Sequence, residues 1–187
     1  MARTLYFELH IRPLMREIDR QHMIGIAPTL DLWSYDSLAA PDPDSGILWR
    51  ERVRDAVADS DPLSYMPPST SGGPWPEEWL ALYKRWLDEG AKRLPFATMT
   101  SAIVTKAGNA FRLRVTGSKT GANYAVWLDT QPGRATPPVY ELYEQPPEPN
   151  APAPGVSFDV SEFFDSGGAK TVRLIDRSGA HDIMIPP

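Results

Sequence analysis

Apolar residues recur along this chain with two different periods. Over residues 1 to about 94 they fall at steps of three and four between Pro/Gly/Asp loops, the spacing of helices with one buried face. From about residue 96 they alternate with polar residues between compact turn signals, the spacing of strands. The change of period near Leu94-Pro95 predicts a helical domain over 1–94 and a β domain over 95–187.

In the first half, Pro13 suits the opening turn of a helix over about 13–23, because its missing N–H is not needed there. Ile11, Leu14, Met15, Ile18 and His22 then fall near one face, and Gly25 follows as a stop. Residues 4–9 read as a short strand or an extended lead-in. Ser34 is placed to cap a short helix ending near Ala39. A further helix is expected over 48–58 with Val53 and Val57 inward. The clearest period lies in "PWPEEWLALYKRWLDEG". Glu77 and Glu78 complement the dipole of its first turn, Trp79, Leu82, Tyr83, Trp86 and Leu87 form an apolar stripe, and Gly90 ends it.

In the second half, strands are expected over 102–106 and 110–116 around the hairpin signal Ala107-Gly108-Asn109. Phe111, Leu113 and Val115 alternate with Arg112 and Arg114, which predicts one face to a core and one to water. Residues 117–121 read as the next turn. Further strands are expected over 124–129, 139–143, 156–160, 170–176 and 181–185. The segment "EQPPEPNAPAPG" cannot enter a central ladder and reads as an exposed, extended loop. Six or seven short strands in this length predict an antiparallel, immunoglobulin-like β-sandwich, so the expected class is α+β. The Cys–Trp–Cys signature of antibody domains is absent.

Composition removes several functions. The 187 residues include no cysteine, which excludes disulfides, thiolate catalysis, zinc–thiolate sites, iron–sulfur clusters and covalent haem attachment. A net charge of −5 argues against nucleic acid as a partner. No apolar run reaches membrane-spanning length and the first residues lack a signal-peptide pattern, so a soluble, cytoplasmic protein is expected.

Three stretches carry a resemblance. "IDRQH" stands where cytochrome-c-like modules have their haem-attachment motif, "YMPPST" where they have Met-Pro, and "PWPEEWLALYKRWLDEGAKR" where they have their closing helix. Residues 10–93 thus resemble a haem-less branch of cytochrome-c-like modules. Ile18 and Gln21 occupy the cysteine places, His22 matches the proximal ligand and Met66 the distal one. The texture "LWSYD…MPP…PWPEEW" is also similar to companions of tyrosinase-type copper oxidases. The resemblance implies a partner, a larger oxidoreductase such as a copper-dependent oxidase. It covers about half the chain and does not extend to the β half.

The resulting choices are few. His22 and Met66 could ligate haem iron without thioether bonds, or copper; against this, His22 could end a helix and Met66 pack in a core. His10, His22 and His181 could gather at copper or zinc, but they lie in three separate elements. The 41–46 loop has the acidic texture of a calcium site, but Val53 stands where the bidentate Glu belongs. Ser34, Ser71 and Ser166 lie outside any nucleophile-elbow motif, and "TSGGPW" lacks a phosphate-binding lysine. The 20 prolines, six tryptophans and seven tyrosines suit an interaction protein. Trp33, Tyr35, Tyr65 and Trp75 lie at loops or element ends, where they either staple the helical half to its own core or form a docking patch. The reading chosen is a non-catalytic accessory, chaperone or scaffold subunit without a cofactor. Its contact surface is Trp33, Tyr35, Trp75 and the 144–155 segment with Pro146, Pro147 and Pro149. The alternative is a haem- or copper-binding redox or metal-delivery protein using His22 and Met66.

Overall fold

A computed structural model describes residues 3–59, 66–67, 73–130, 136–148 and 154–187. The chain is α+β and divides into two compact units, Met1–Arg93 and Leu94–Pro187. Among the described residues the α-helices all lie in the first unit and the strands of the two sheets in the second.

The helical unit opens with a π-helical turn, Phe7–Ile11, and a 3-10 turn, Arg12–Leu14, where an extended lead-in and the start of a helix were expected. The first α-helix, α1, spans Glu17–Ile26. The chain is extended at Met15 and Arg16, so Pro13 serves the 3-10 turn and not α1. Two guanidinium nitrogens of Arg16, Nε and Nη2, donate to Asp19 at 2.8 Å across the first turn of α1. That break rotates the predicted face. Ile18 is 52% exposed, whereas Asp19 is turned inward and buried with its charge paired.

The remaining helices are α2 (Tyr35–Ala39), α3 (Trp49–Ala58) and α4 (Glu77–Asp88). The Ser34 hydroxyl accepts from the Ser37 amide at 3.2 Å and caps α2. Val53 and Val57 of α3 are buried. On α4, Tyr83 and Trp86 are buried, while Trp79, Leu82 and Leu87 pack partly buried against the same cluster. Trp86 meets Phe7 at 6.0 Å and Tyr83 at 5.4 Å between ring centroids. Their polar tips are met, by Lys92 carbonyl for Trp86 Nε1 (2.9 Å) and Arg50 carbonyl for Tyr83 Oη (3.0 Å). Burial of each such ring contributes about 1.5–3 kcal/mol, which makes α4 the anchor of this unit. Past α4, Gly90 takes φ +93°, and the Ala91 amide reaches back to the Trp86 carbonyl.

The β unit holds two sheets. One has the order β1 (Thr98–Ala107), β2 (Ala110–Lys119), β5 (Val156–Phe164). The other has the order β3 (Ala125–Thr130), β4 (Val139–Gln145), β6 (Thr171–Asp176), β7 (Gly179–Met184). Leu113 and Val115 from the first sheet share one buried cluster with Tyr140, Leu142, Val172 and Leu174 from the second. Arg112 and Arg114 face water on β2, as the alternation predicts. The β1–β2 hairpin closes on the pair Ala107↔Ala110, with Gly108 at φ +66° in the two-residue turn.

Two expectations fail here. Residues 117–119 are not a turn but the end of β2. Gly117 is a glycine because the Thr98 carbonyl and the Phe158 ring close over it, not because the chain bends. Nor are the sheets wholly antiparallel, since β4 pairs β6 in parallel. Between them the chain crosses to the other sheet as β5 and returns. Two reversals restore the original direction, which a tight-turn hairpin cannot do.

Candidate functional site

A half-enclosed cavity of about 510 Å³ lies within the helical unit. Such a volume is in the range that takes a small molecule or an inserted side chain. Elements distant in sequence form its wall: α1 with Asp19, His22, Met23 and Ile26, then the 27–32 segment, α3 with Arg52, Val53 and Ala56, and finally Met66 and Trp75. The lining is mainly apolar.

His22 and Met66 therefore meet on one cavity, each for a local reason. His22 sits one turn from the end of α1, on the side of Asp19 and Met23, and is exposed at the rim. Met66 is half-buried, and its amide donates to the Ala56 carbonyl at the end of α3 (2.9 Å). Met15 and Met23 line the same cavity. An imidazole with thioethers is a donor set that haem iron and Cu(I) both accept, so the residues present fit either group. Without cysteine in the chain, haem would be held by the cavity and these ligands alone.

The charged groups on the wall are committed. Asp19 is forked by Arg16. Asp42, in the loop that resembled a calcium site, is 2% exposed and accepts from Ser45 Oγ (2.6 Å), from the Asp44 amide and from Arg52. The Ser45 hydrogen bond, opposed by burial and helped by the Asp44 amide and Arg52, holds the Asp42 carboxyl below the usual range. Trp75 differs. It is 6% exposed, and its indole Nε1–H has no acceptor among the described residues.

The aromatic residues chosen for a contact surface mostly serve the unit's interior. Trp33 Nε1 donates to the Met15 carbonyl at 2.6 Å, under the Arg20 guanidinium at 4.8 Å. Tyr35 Oη donates to the Ala91 carbonyl at 3.0 Å, with its ring edge-on to Phe7 and beneath Arg93. Trp75 packs edge-to-face on Trp79 and Tyr83. Trp33 and Tyr35 are half-buried and Trp75 is buried, so these three rings do not assemble an exposed patch. Pro146 and Pro147 are half-buried beyond β4. Pro149 and Tyr65 lie outside the described residues.

Exposed apolar side chains occur instead on α1, as they also do at Phe163 and Met184 in the β unit. Ile18 (52% exposed) and Ile26 (58%) flank His22 at i, i+4, i+8 on α1. His22 and Ile26 belong to the cavity wall as well.

The other histidines are tied locally. His10 Nδ1 accepts from the Tyr6 amide at 3.0 Å. In the β unit His181 joins Ser178 and Asp176, residue types of a hydrolytic triad. Yet Ser178 Oγ donates to Asp176 at 2.6 Å, and His181 Nε2 faces Ser178 (2.9 Å) and Asp176 (3.0 Å) with the same nitrogen. A triad needs serine and aspartate on opposite ring nitrogens. Asp176 also accepts from the Met99 amide at 2.8 Å, so the cluster pins the β6–β7 hairpin to β1. Burial pushes the Asp176 carboxyl up, but the hydrogen bonds from Ser178, the Met99 amide and His181 outweigh it and hold the carboxyl below its ordinary value. The Asp-x-Ser turn at 176–178 was the available sequence signal.

Among the described residues, no group of three His, Cys, Asp or Glu side chains could hold a metal ion, and no helix is long and apolar enough to cross a membrane. No family model, curated protein or solved structure matches the chain.

Proposed function

We propose that this chain is a non-catalytic accessory subunit that docks through α1 onto a larger, metal-dependent oxidoreductase, a copper oxidase being the candidate class. The observation that carries this reading is the stripe Ile18–His22–Ile26, exposed and continuous with an apolar cavity. Single exposed isoleucines are ordinary on a protein surface; a stripe running into a concavity offers a partner a hydrophobic contact with a socket behind it. In this reading the helical unit is a haem-less cytochrome-c-like module, supported by the closing helix α4 and by His22 and Met66 lining one cavity. The β unit is an immunoglobulin-like sandwich, supported by its two sheets around one apolar cluster.

The test is recovery of the partner with the tagged full chain from its own cell. The reading expects a stoichiometric subunit with bound metal and oxidase activity, and Ile18→Asp should weaken the complex about tenfold, the effect of one good interface contact. A recovered partner without metal or redox activity, or equal binding by Ile18→Asp, would refute it.

A second reading has its own support. Because His22 shares the cavity with Met66, the unit could bind haem or copper for electron transfer or metal delivery. Haem or Cu(I) would supply the redox chemistry, and this chain would supply an imidazole, thioethers and an apolar enclosure. Reconstitution with haem should then give a Soret band that His22→Ala loses; no band and no bound Cu(I) would dismiss it.

A further inference from the structure

We infer that the free edge of β1 is the seam at which two copies of this chain pair, antiparallel about a two-fold axis at Ile103, so that their three-stranded sheets become one continuous sheet. This rests on the β unit alone, not on the docking or metal readings above.

The two sheets end on β1, β5, β3 and β7. An edge strand offers unpaired N–H and C=O groups, which soluble proteins guard with charge, proline, short length or an inward-pointing charge. Three of these edges are guarded. β3 and β7 have six residues each and carry Asp129 and Asp182. β5 carries Asp159 on one face and Glu162 on the other, where Glu162 stands opposite the buried Leu113. β1 differs. It has ten residues, no proline and no acidic residue, and its one charge, Lys106, lies next to the hairpin turn. A bulge at Met99/Ser101 and the bond from the Met99 amide to Asp176 occupy its start. Residues 101–107 remain, with no backbone hydrogen bond to any strand but β2 among the described residues.

The hairpin fixes which groups this edge offers. Its two-residue turn makes Ala107↔Ala110 a hydrogen-bonded pair. By alternation Thr105, Ile103 and Ser101 also bond to β2, and the N–H and C=O groups of Ala102, Val104 and Lys106 point to the open side. With Ile103 on the axis, Ala102 of each copy exchanges hydrogen bonds with Val104 of the other. The side chains then match in kind. Ile103, 49% exposed, meets its own copy, exposed Ser101 lies opposite exposed Thr105, and Ala102 lies opposite Val104 on the core side. Apolar β-branched pairs and hydroxyl pairs stabilise antiparallel ladders, and no like charges meet, because Lys106 falls opposite Thr100. Centring the pair on Val104 would set Ile103 against Thr105 and Lys106 against Ala102, losing both matches.

The test is sedimentation velocity of the full chain from about 1 µM to about 1 mM, which should show a reversible monomer–dimer equilibrium. Ile103→Lys sets two ammonium groups against each other on the axis and should weaken the dimer at least about tenfold. Its urea midpoint for the monomer should not move, because the side chain faces water. The register is read by single cysteines, since the chain has none of its own. Ile103 and its copy form a non-hydrogen-bonded pair with Cα atoms about 4.5 Å apart, within disulfide reach. Ile103→Cys should therefore oxidise to a covalent dimer. Thr105→Cys, held roughly 13 Å from its copy along the strand, should not. Nor should Phe163→Cys, which is 60% exposed on the edge strand β5. Ile18→Asp should dimerise as the unaltered chain does, so that failure of α1 docking and failure of this seam are told apart.

A chain that stays monomeric throughout that range would overturn the inference. So would a dimer that Ile103→Lys leaves intact or that Ile18→Asp abolishes, or cross-linking at Phe163→Cys in place of Ile103→Cys, which would move the contact to β5. The first outcome needs no variant, so it holds even if Ile103→Lys fails to fold.

Discussion

Replacing Gly117 by alanine tests the account of the β unit most directly. Gly117 lies inside β2, paired with Met99 on β1 and with Phe158 on β5. A Cβ there would stand 2.1 Å from the Thr98 carbonyl oxygen and 2.7 Å from the Phe158 ring, whereas real Cβ contacts essentially never fall below 3.0 Å. The ring could turn, but the carbonyl belongs to the ladder. Relief requires β1 to retreat by roughly 1 Å, the kind of backbone shift that overpacked sites impose. That shift pulls on the Met99 amide, which is bonded to Asp176 at 2.8 Å. Overpacking of this kind costs about 1–3 kcal/mol, and the Thr98 contact puts Gly117→Ala toward the upper end. The loss of glycine's freedom in the unfolded chain returns about 0.4–1 kcal/mol, which leaves a net destabilisation near 2 kcal/mol.

The assay is urea unfolding followed by far-ultraviolet circular dichroism and by fluorescence together. Five of the six tryptophans (33, 49, 75, 79 and 86) lie in the helical unit and only Trp127 in the β unit. Fluorescence therefore reports mainly the helical transition, and dichroism near 218 nm reports helices and sheets together, so the β transition is the part of the dichroism change that fluorescence does not follow. Gly117→Ala should lower the β transition by about 1–2 M urea, given slopes of about 1–2 kcal/mol per M. The tryptophan-detected transition should stay in place. A β midpoint within about 0.3 M of the unaltered chain would mean that β1 and β2 are not in the described register, and the reasoning would fall.

Two further predictions follow. Asp176→Asn should cost the β unit roughly 1–3 kcal/mol at neutral pH, because the Ser178, Met99 and His181 donors lose their shared charged acceptor. The folded carboxyl lies below its ordinary value of 3.8, so its contribution is complete above pH 3.8 and is lost as the pH falls below it. Acid urea titrations should thus show the variant and the unaltered chain converging there, and a gap independent of pH would contradict the assignment. Tyr83→Phe should lower the fluorescence-detected midpoint by the equivalent of about 1 kcal/mol, by leaving the Arg50 carbonyl without its phenolic donor. Burial pushes the Tyr83 phenol up, so alkaline difference spectra should show one tyrosine titrating only as the helical unit unfolds.

Helices α3 and α4 and the β1–β2 hairpin were legible because each is specified locally. Period, first-turn acids and a following glycine mark α4, and Gly108-Asn109 marks the hairpin. The Ser34 cap was legible for the same reason, since a hydroxyl and an amide three residues on need no distant partner.

What tertiary structure decided involves residues far apart, or local choices with competing solutions. The pattern around Ile11, Leu14 and Ile18 suits one continuous helix, but the chain breaks at Met15–Arg16 and turns Ile18 to solvent and Asp19 inward. The parallel pairing of β4 with β6 depends on where β5 goes between them. Gly117 carries the residue type of a turn and serves instead the close approach of the Thr98 carbonyl and the Phe158 ring. Local sequence determined which residues become helices and strands, because hydrogen bonding and amphipathic burial act over a few residues. Only the packed fold put His22, Met66 and Trp75 on one cavity, because their meeting depends on how α1, α3 and the segments after them close on a shared core, and no spacing along the chain encodes that distance.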